Sequence, residues 1–178
     1  MISVETPILE TGRLILRPFC IEDAQEVFEC WESDSDVAKY MFWISHNDIN
    51  KTIGWIEEEI RKINSDDWYR WAILLKETDE LIGTGLIYFE EEYGKFEIAY
   101  NLGKKAWGVG YTTEAMQVVI KFVKEKLGIR EIVGRHAKEN QASSRVMDKL
   151  GFIYVKDIPY ECNMGKNLYE GKEYILKL

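Results

Sequence analysis

The stretch KKAWGVGYTTEA, residues 104–115, decides how the chain is read. Gly108 and Gly110 stand one residue apart, after two lysines and a tryptophan. Thr112, Thr113 and Glu114 follow, and then an apolar stripe of Ala115, Val119, Phe122, Val123 and Leu127 at helical spacing. A loop entering a helix leaves the first backbone N–H groups without intrahelical partners. Those groups, with the helix dipole, attract an anion. Glycine lets the main chain approach a phosphate with no Cβ in the way, and Lys104 or Lys105 adds a charge nearby. The same pattern also fits a plain strand-to-helix turn. A Walker A loop is absent, and a dinucleotide fingerprint fails because its third glycine falls at Thr113.

Working outward, FEIAYNL (96–102) reads as the strand before the loop, with Phe96, Ile98 and Tyr100 on one face and Glu97 on the other. Residues 68–103 contain three strand-like runs, an antiparallel meander. RLILRPF (13–19) is a first strand ended by Pro18, and IEDAQEVFECWES (21–33) a first helix. NDINKTIGWIEEEIRKI (47–63) is a second helix with Asn47 or Asp48 as its cap. After the loop come a helix over 112–128 closed by Gly128, a strand REIVGRHA (130–137) and a short helix NQASSRVMDKLG (140–151). FIYVKD and KEYILKL are the final strands. The strand–helix–strand run at 94–137 implies one parallel pair with a crossover helix in a mixed α/β fold. Without a linker or repeat, residues 1–178 read as one domain.

Composition narrows the function. A net charge of −8 argues against a general nucleic-acid binder and is compatible with a cationic substrate, although solubility alone accounts for it. Cys20, Cys30 and Cys162 are widely spaced and form no C-x-x-C pair, which suits a reducing compartment. The N-terminal stretch MISVETPILETGRLILRPF has no leader pattern, and no run approaches ~18 consecutive apolar residues, so the expected location is the cytoplasm. His46 and His136 lack metal spacing, so no metal site is expected.

Four segments carry a family resemblance. KKAWGVGYTTEA is similar to the acyl-CoA loop of GNAT acetyltransferases, [QR]-x-x-G-x-[GA], with Lys105, Gly108 and Gly110 at the motif positions. FEIAYNL resembles the family's fourth strand, and ENQASSRVMDKLGF (139–152) its N-x-x-S…K-x-G-F segment. ETGRLILRPFCIEDAQEVFE resembles the start of the branch that includes the RimJ/RimL ribosomal-protein N-acetyltransferases. The segments occur in family order and span nearly the whole chain.

The resemblance implies a GNAT fold: a mixed sheet of about six to seven strands flanked by helices, its fourth and fifth strands splayed. It implies acetyl transfer from acetyl-CoA to a primary amine by direct attack. The acceptor is a protein N-terminus of ribosomal-protein type; a polyamine, amino sugar or antibiotic is the alternative. A silent acyl-CoA-binding regulatory module is the reading from another class. Cofactor contacts fall on Leu102, Lys105, Ala106, Trp107, Gly108, Val109, Gly110, Tyr111, Thr112, Asn140 and Ser143. Glu97 is the candidate base or substrate anchor, and the backbone near Leu102 the candidate oxyanion donor. Ser143 lies where the branch places a serine near the sulfur, with Ser144 as a rival. Many relatives carry an acidic tyrosine seven residues after the asparagine, but here that residue is Met147. YMFWISH (40–46), Trp43 included, matches the region forming a wall of the acceptor site, and core burial fits it equally. Lys105 departs from the usual Gln or Arg and lacks arginine's bidentate fork. A monomer or a homodimer is compatible with all of this.

Overall fold

The computed structural model describes residues 4–178; residues 1–3, where the N-terminal stretch read for a leader begins, lie outside the described residues. The chain starts with two short strands, β1 (Leu9–Glu10) and β2 (Leu14–Arg17). Between them the Thr11 hydroxyl accepts the N–H of Leu14 at 2.9 Å, which fixes the turn. After Pro18 the backbone enters a 3-10 turn (Ile21–Asp23), continues as α1 (Ala24–Val27) and widens into a π turn (Phe28–Glu32). The Asp23 carboxylate anchors this start by accepting from Arg17 and from the Cys20 N–H at 2.9 Å. A further turn, α2 (Ser35–Ala38), is capped by Asp34, whose Oδ1 accepts the N–H of Asp36 at 2.8 Å. Its four residues are too few for a periodic pattern. Asp48 caps α3 (Ile49–Arg61) through the N–H of Asn50.

The expected meander forms as β3 (Trp68–Leu75), β4 (Leu81–Glu90) and β5 (Lys95–Leu102), antiparallel throughout. α4 (Tyr111–Phe122) leaves the glycine loop, runs on as a π turn (Val123–Leu127) and stops at Gly128, whose φ of 66° is left-handed. β6 (Glu131–Ala137), α5 (Gln141–Leu150), β7 (Ile153–Cys162) and β8 (Asn167–Lys177) complete the chain.

One sheet of eight strands results, in the order β1-β2-β3-β4-β5-β6-β8-β7, with β5–β6 its parallel pair among the described residues. The eighth strand is β1, two residues long and invisible to any alternation rule. β7 and β8 run well past FIYVKD and KEYILKL because their hairpin is largely exposed, so its tip carries no apolar pattern.

Each sheet face buries its own cluster. Leu14, Trp71, Ile73 and Ile98 pack with Met116, Val119 and Phe122 of α4. On the opposite face Ala72 and Leu74 pack with Val27 and Trp31 near α1 and Ile56 of α3. Apolar burial on both faces, at about 25 cal/mol per Å², holds β3–β5 rigid between helices.

Candidate functional site

The site begins where two strands part. β5 and β6 pair at Phe96–Ile132, Glu97–Val133 and Ile98–Gly134, and no further. β5 nevertheless continues to Leu102 and β6 to Ala137. The Gly103 N–H donates to Ile82 O of β4 at 2.9 Å. Backbone alternation therefore turns the polar groups of Leu102 and Tyr100 away from β4, into the split. Tyr100 packs with the α4 cluster, and Asn101 projects from the opposite face. Both line one cavity of about 620 Å³ at the open end of the split, with further walls from Val37 of α2 and from the starts of α4 and α5.

The loop after β5 is shaped by a close approach. A Cβ on Gly103 would stand 2.3 Å from Cys30 Sγ and 2.8 Å from Cys30 O. Burial pushes the Cys30 thiol up to about 11, so it packs there as an inert group. Lys104–Ala106 form a single 3-10 turn, and the Trp107 indole donates to Leu102 O at 2.8 Å. Gly108 (φ 75°) and Gly110 (φ 87°) both take left-handed conformations. Gly110 is the N-cap of α4, and no side chain caps the helix. Its leading N–H groups are left for an anion. Ala106, Trp107, Gly108, Gly110, Tyr111 and Thr112 all line the cavity, as does Leu102.

Neither lysine is among the residues that line the cavity. Lys104 ties the loop to the start of α2 through Asp34, at 3.3 Å, and Asp36. Lys105 is exposed and, like Val109, is not among the cavity-lining residues. The cation at this rim is Arg13, from the start of β2. Its guanidinium pairs with Glu114 Oε2 at 2.7 Å, lies over the Tyr111 ring at 4.4 Å and contacts Val109 O. Thr11 donates to the other Glu114 oxygen at 2.6 Å.

The opposite wall is α5. Asn140 is its N-cap, with Oδ1 accepting the Ser143 N–H at 3.1 Å. Asn140 and Ser143 line the cavity and Ser144 does not. Met147 is buried, and a Cβ on Gly134 would stand 2.5 Å from its terminal methyl, so this side chain fills the core. Arg145 and Lys149, one helical turn apart, also line the cavity and supply positive charge across from the glycine loop.

Glu97 lies outside the cavity lining, on the α1–α3 face of β5. Its Oε2 accepts from Arg135 Nη1 at 2.8 Å, and Tyr88, its cross-strand partner, hydrogen-bonds the same carboxylate. Arg135 also pairs with Glu173 at 2.9 Å and lies over the Tyr93 ring at 3.9 Å. Burial outweighs the pull of Arg135 and pushes Glu97 up to about 7. Trp43 packs against the core cluster under α1 and α3, whereas Tyr40 and Met41 reach the cavity. That loop is pinned by Asn163 at the tip of the β7–β8 hairpin, whose amide donates to Ala38 O and Trp43 O, each at 2.9 Å.

Residues 13–153 match the family model of the acetyltransferase (GNAT) domain. The chain belongs to the GNAT acetyltransferase family. It is 35% identical over 149 residues to the uncharacterized N-acetyltransferase p20 of Bacillus licheniformis, covering 81% of each chain. Its fold superposes on RimL, the ribosomal L7/L12 α-N-protein acetyltransferase solved with coenzyme A, at a TM-score of 0.84 and 16% identity, over 97% of this chain and 98% of that one. The microcin C7 self-immunity acetyltransferase MccE, solved with acetyl-CoA and AMP, gives 0.85 at 17% identity, over 99% of both chains.

GNAT enzymes use acetyl-CoA, and the cavity has the chemistry for it: uncapped helix N–H groups, two left-handed glycines, and Arg145 with Lys149 opposite. Of the cavity-lining residues, the sequence pattern pointed to the glycines, Asn140 and Ser143 but not to Arg145 and Lys149; nor did it point to Arg13, Arg135 or Asn163, which brace the surroundings. Only the i, i+4 spacing of Arg145 and Lys149 on a predicted helix was a usable signal. Among the described residues no cluster of His, Cys, Asp and Glu is arranged to hold a metal, and no helix is long and apolar enough to cross a membrane.

Proposed function

We propose that this acetyltransferase acetylates the N-terminal amine of a polypeptide by direct attack on acetyl-CoA. The observation that supports this reading is the cavity at the open end of the β5–β6 split, walled by α2 residues from one side of the sheet and by the starts of α4 and α5 from the other. Donor and acceptor can meet there from opposite sides of the sheet without a covalent enzyme intermediate. The glycine loop holds the pyrophosphate, Asn140 the pantetheine arm, and Arg145 with Lys149 the remaining phosphate charge. The thioester carbonyl lies against the backbone N–H of Leu102, which stabilises the oxyanion as the carbon becomes tetrahedral.

Glu97 is the base and acts through water, because its carboxylate lies outside the cavity lining. A carboxylate pushed up to about 7 is poised to take a proton near neutral pH. A polypeptide acceptor is favoured by an apolar shoulder beside Tyr40 and Met41, where Phe42 is 67% and Met164 65% exposed. The backbones of these two residues are hydrogen-bonded, so the shoulder is held as one surface beside the cavity. RimL, which acts on a protein α-N-terminus, shares the fold.

The test is thiol release from acetyl-CoA with a panel of peptide N-termini, polyamines and aminoglycosides. Turnover on peptides, with kcat/KM rising as residues are added after the first, is expected. Turnover confined to small amines would replace this reading with the small-molecule one.

A further inference from the structure

Tyr100 has a hydroxyl for which the fold provides no use. It is sealed from water and meets no hydrogen-bond partner of good geometry, and the Ser143 hydroxyl is the group beside it. A buried hydroxyl without a partner is costly, and phenylalanine would fill the same space without that cost. Tyr100 also stands at the split, where its backbone faces the cavity.

We infer that Tyr100 is a positioning residue for Ser143, the serine that the resemblance places near the sulfur: its buried phenol donates to the Ser143 hydroxyl and aims that hydroxyl at the departing thiolate. Ser143 donates to sulfur from the cavity wall, and Tyr100 donates to Ser143 from behind it. The inference rests on the acetyl-CoA reading of the cavity. With the thioester carbonyl against Leu102 N–H, the sulfur is bonded to the same carbon and lies between β5 and the start of α5. As the tetrahedral intermediate collapses, the N–C bond is retained, the C–S bond breaks and its electron pair stays on sulfur. The proton lost by the amine goes to Glu97 or to water, and both hydroxyls keep their own protons. Burial raises the Tyr100 phenol above its ordinary range, so it remains a neutral donor at working pH. Ser144, the neighbouring serine, does not reach the cavity. Met147 is a thioether locked in the core and donates nothing.

The experiment needs no acceptor. Coenzyme A is bound to the protein and its thiol is titrated by ultraviolet thiolate absorbance, with desulfo-CoA as a sulfur-free control for affinity. The expected result is a bound thiol more acidic than free coenzyme A. Tyr100→Phe and Ser143→Ala each move it back toward the free value, the double variant goes no further than the stronger single one, and desulfo-CoA affinity stays within about twofold. Acetyl transfer falls roughly tenfold in each variant, the size of one hydrogen bond. An unshifted thiol in the wild type, or an unchanged titration in either single variant, overturns the pair while leaving the acetyl-CoA reading intact. Failure of the wild type to bind coenzyme A overturns both. Ser143→Ala, on the helix surface, decides the matter should Tyr100→Phe not fold.

Discussion

Arg13 and Glu114 are 101 residues apart in sequence and in contact at the rim of the cavity, where Arg13 Nε donates to Glu114 Oε2 at 2.7 Å. The pair fastens the start of β2 to the first turn of α4. It holds Gly110, whose missing Cβ would lie 3.8 Å from the Arg13 guanidinium.

Arg13→Ala should therefore act on cofactor binding more than on folding. Half-exposed pairs of this kind contribute about 0.5–1 kcal/mol, so the denaturation midpoint should barely move. The dissociation constant for coenzyme A, by calorimetry, should rise about three- to tenfold as the loop loses its support. Burial alone would raise the Glu114 pKa, but its bonds from Thr11 and Arg13 hold it below the ordinary value of 4.5. This contribution is present at neutral pH and disappears as pH falls through and below 4.5. At low pH the wild-type affinity should fall toward that of Arg13→Ala; an equal loss in both proteins would overturn this assignment.

The raised pKa of Glu97 sets the pH dependence of turnover. The ionised form is the base, so kcat/KM should rise with pH through a midpoint near 7. Glu97→Gln should lose that limb together with about 10²–10³-fold of rate. Arg135→Met removes the charge that favours the carboxylate and should shift the limb upward. A limb that stays in place in Glu97→Gln assigns the proton to another group.

The Asn163 clamp predicts a separation of kinetic constants. Asn163→Ala removes the donors that hold residues 38–43 and leaves a left-handed position, φ 53°, without the side chain that suits it. A stability loss of about 2 kcal/mol in chemical denaturation is expected. KM for the amine should rise several-fold while KM for acetyl-CoA is unchanged, because the clamp touches only the acceptor-side loop.

Arg145 and Lys149 should be read by salt. If each neutralises a cofactor phosphate, replacing both by alanine should weaken coenzyme A binding about tenfold or more and flatten its dependence on ionic strength. Lys105→Ala, by contrast, should leave both quantities near wild type, since its side chain lies outside the cavity.

What the chain discloses in one dimension follows from range. Gly108, Gly110, Asn140 and Ser143 are local devices: turns and caps whose residue types are fixed by their own backbone, so this part of the cavity wall is readable. The order of strands and helices is readable for the same reason, apart from β1 and α2, which are too short to repeat any pattern. Tyr100 looks like one more core aromatic until α5 sets the Ser143 hydroxyl beside its own. Arg13 and Asn163 take their meaning from partners some hundred residues away. Lys105 sits at a motif position, yet Gly103 and the following 3-10 turn aim it outward. Trp43 packs against the core while Tyr40 and Met41 of the same stretch line the cavity, because the tip of a distant hairpin sets the course of their loop.

The β5–β6 junction has a mechanical consequence. Three residue pairs join β1–β5 to the β6-β8-β7 part of the sheet. Among the described residues this is the one ladder between the two parts, and a cofactor bound at the proposed site would add contacts to both. Its binding energy then becomes resistance to tearing along that seam. The amides of β6 and β8 should exchange with deuterium as one block, faster than those of β3 and β4, and slow sharply when coenzyme A is added.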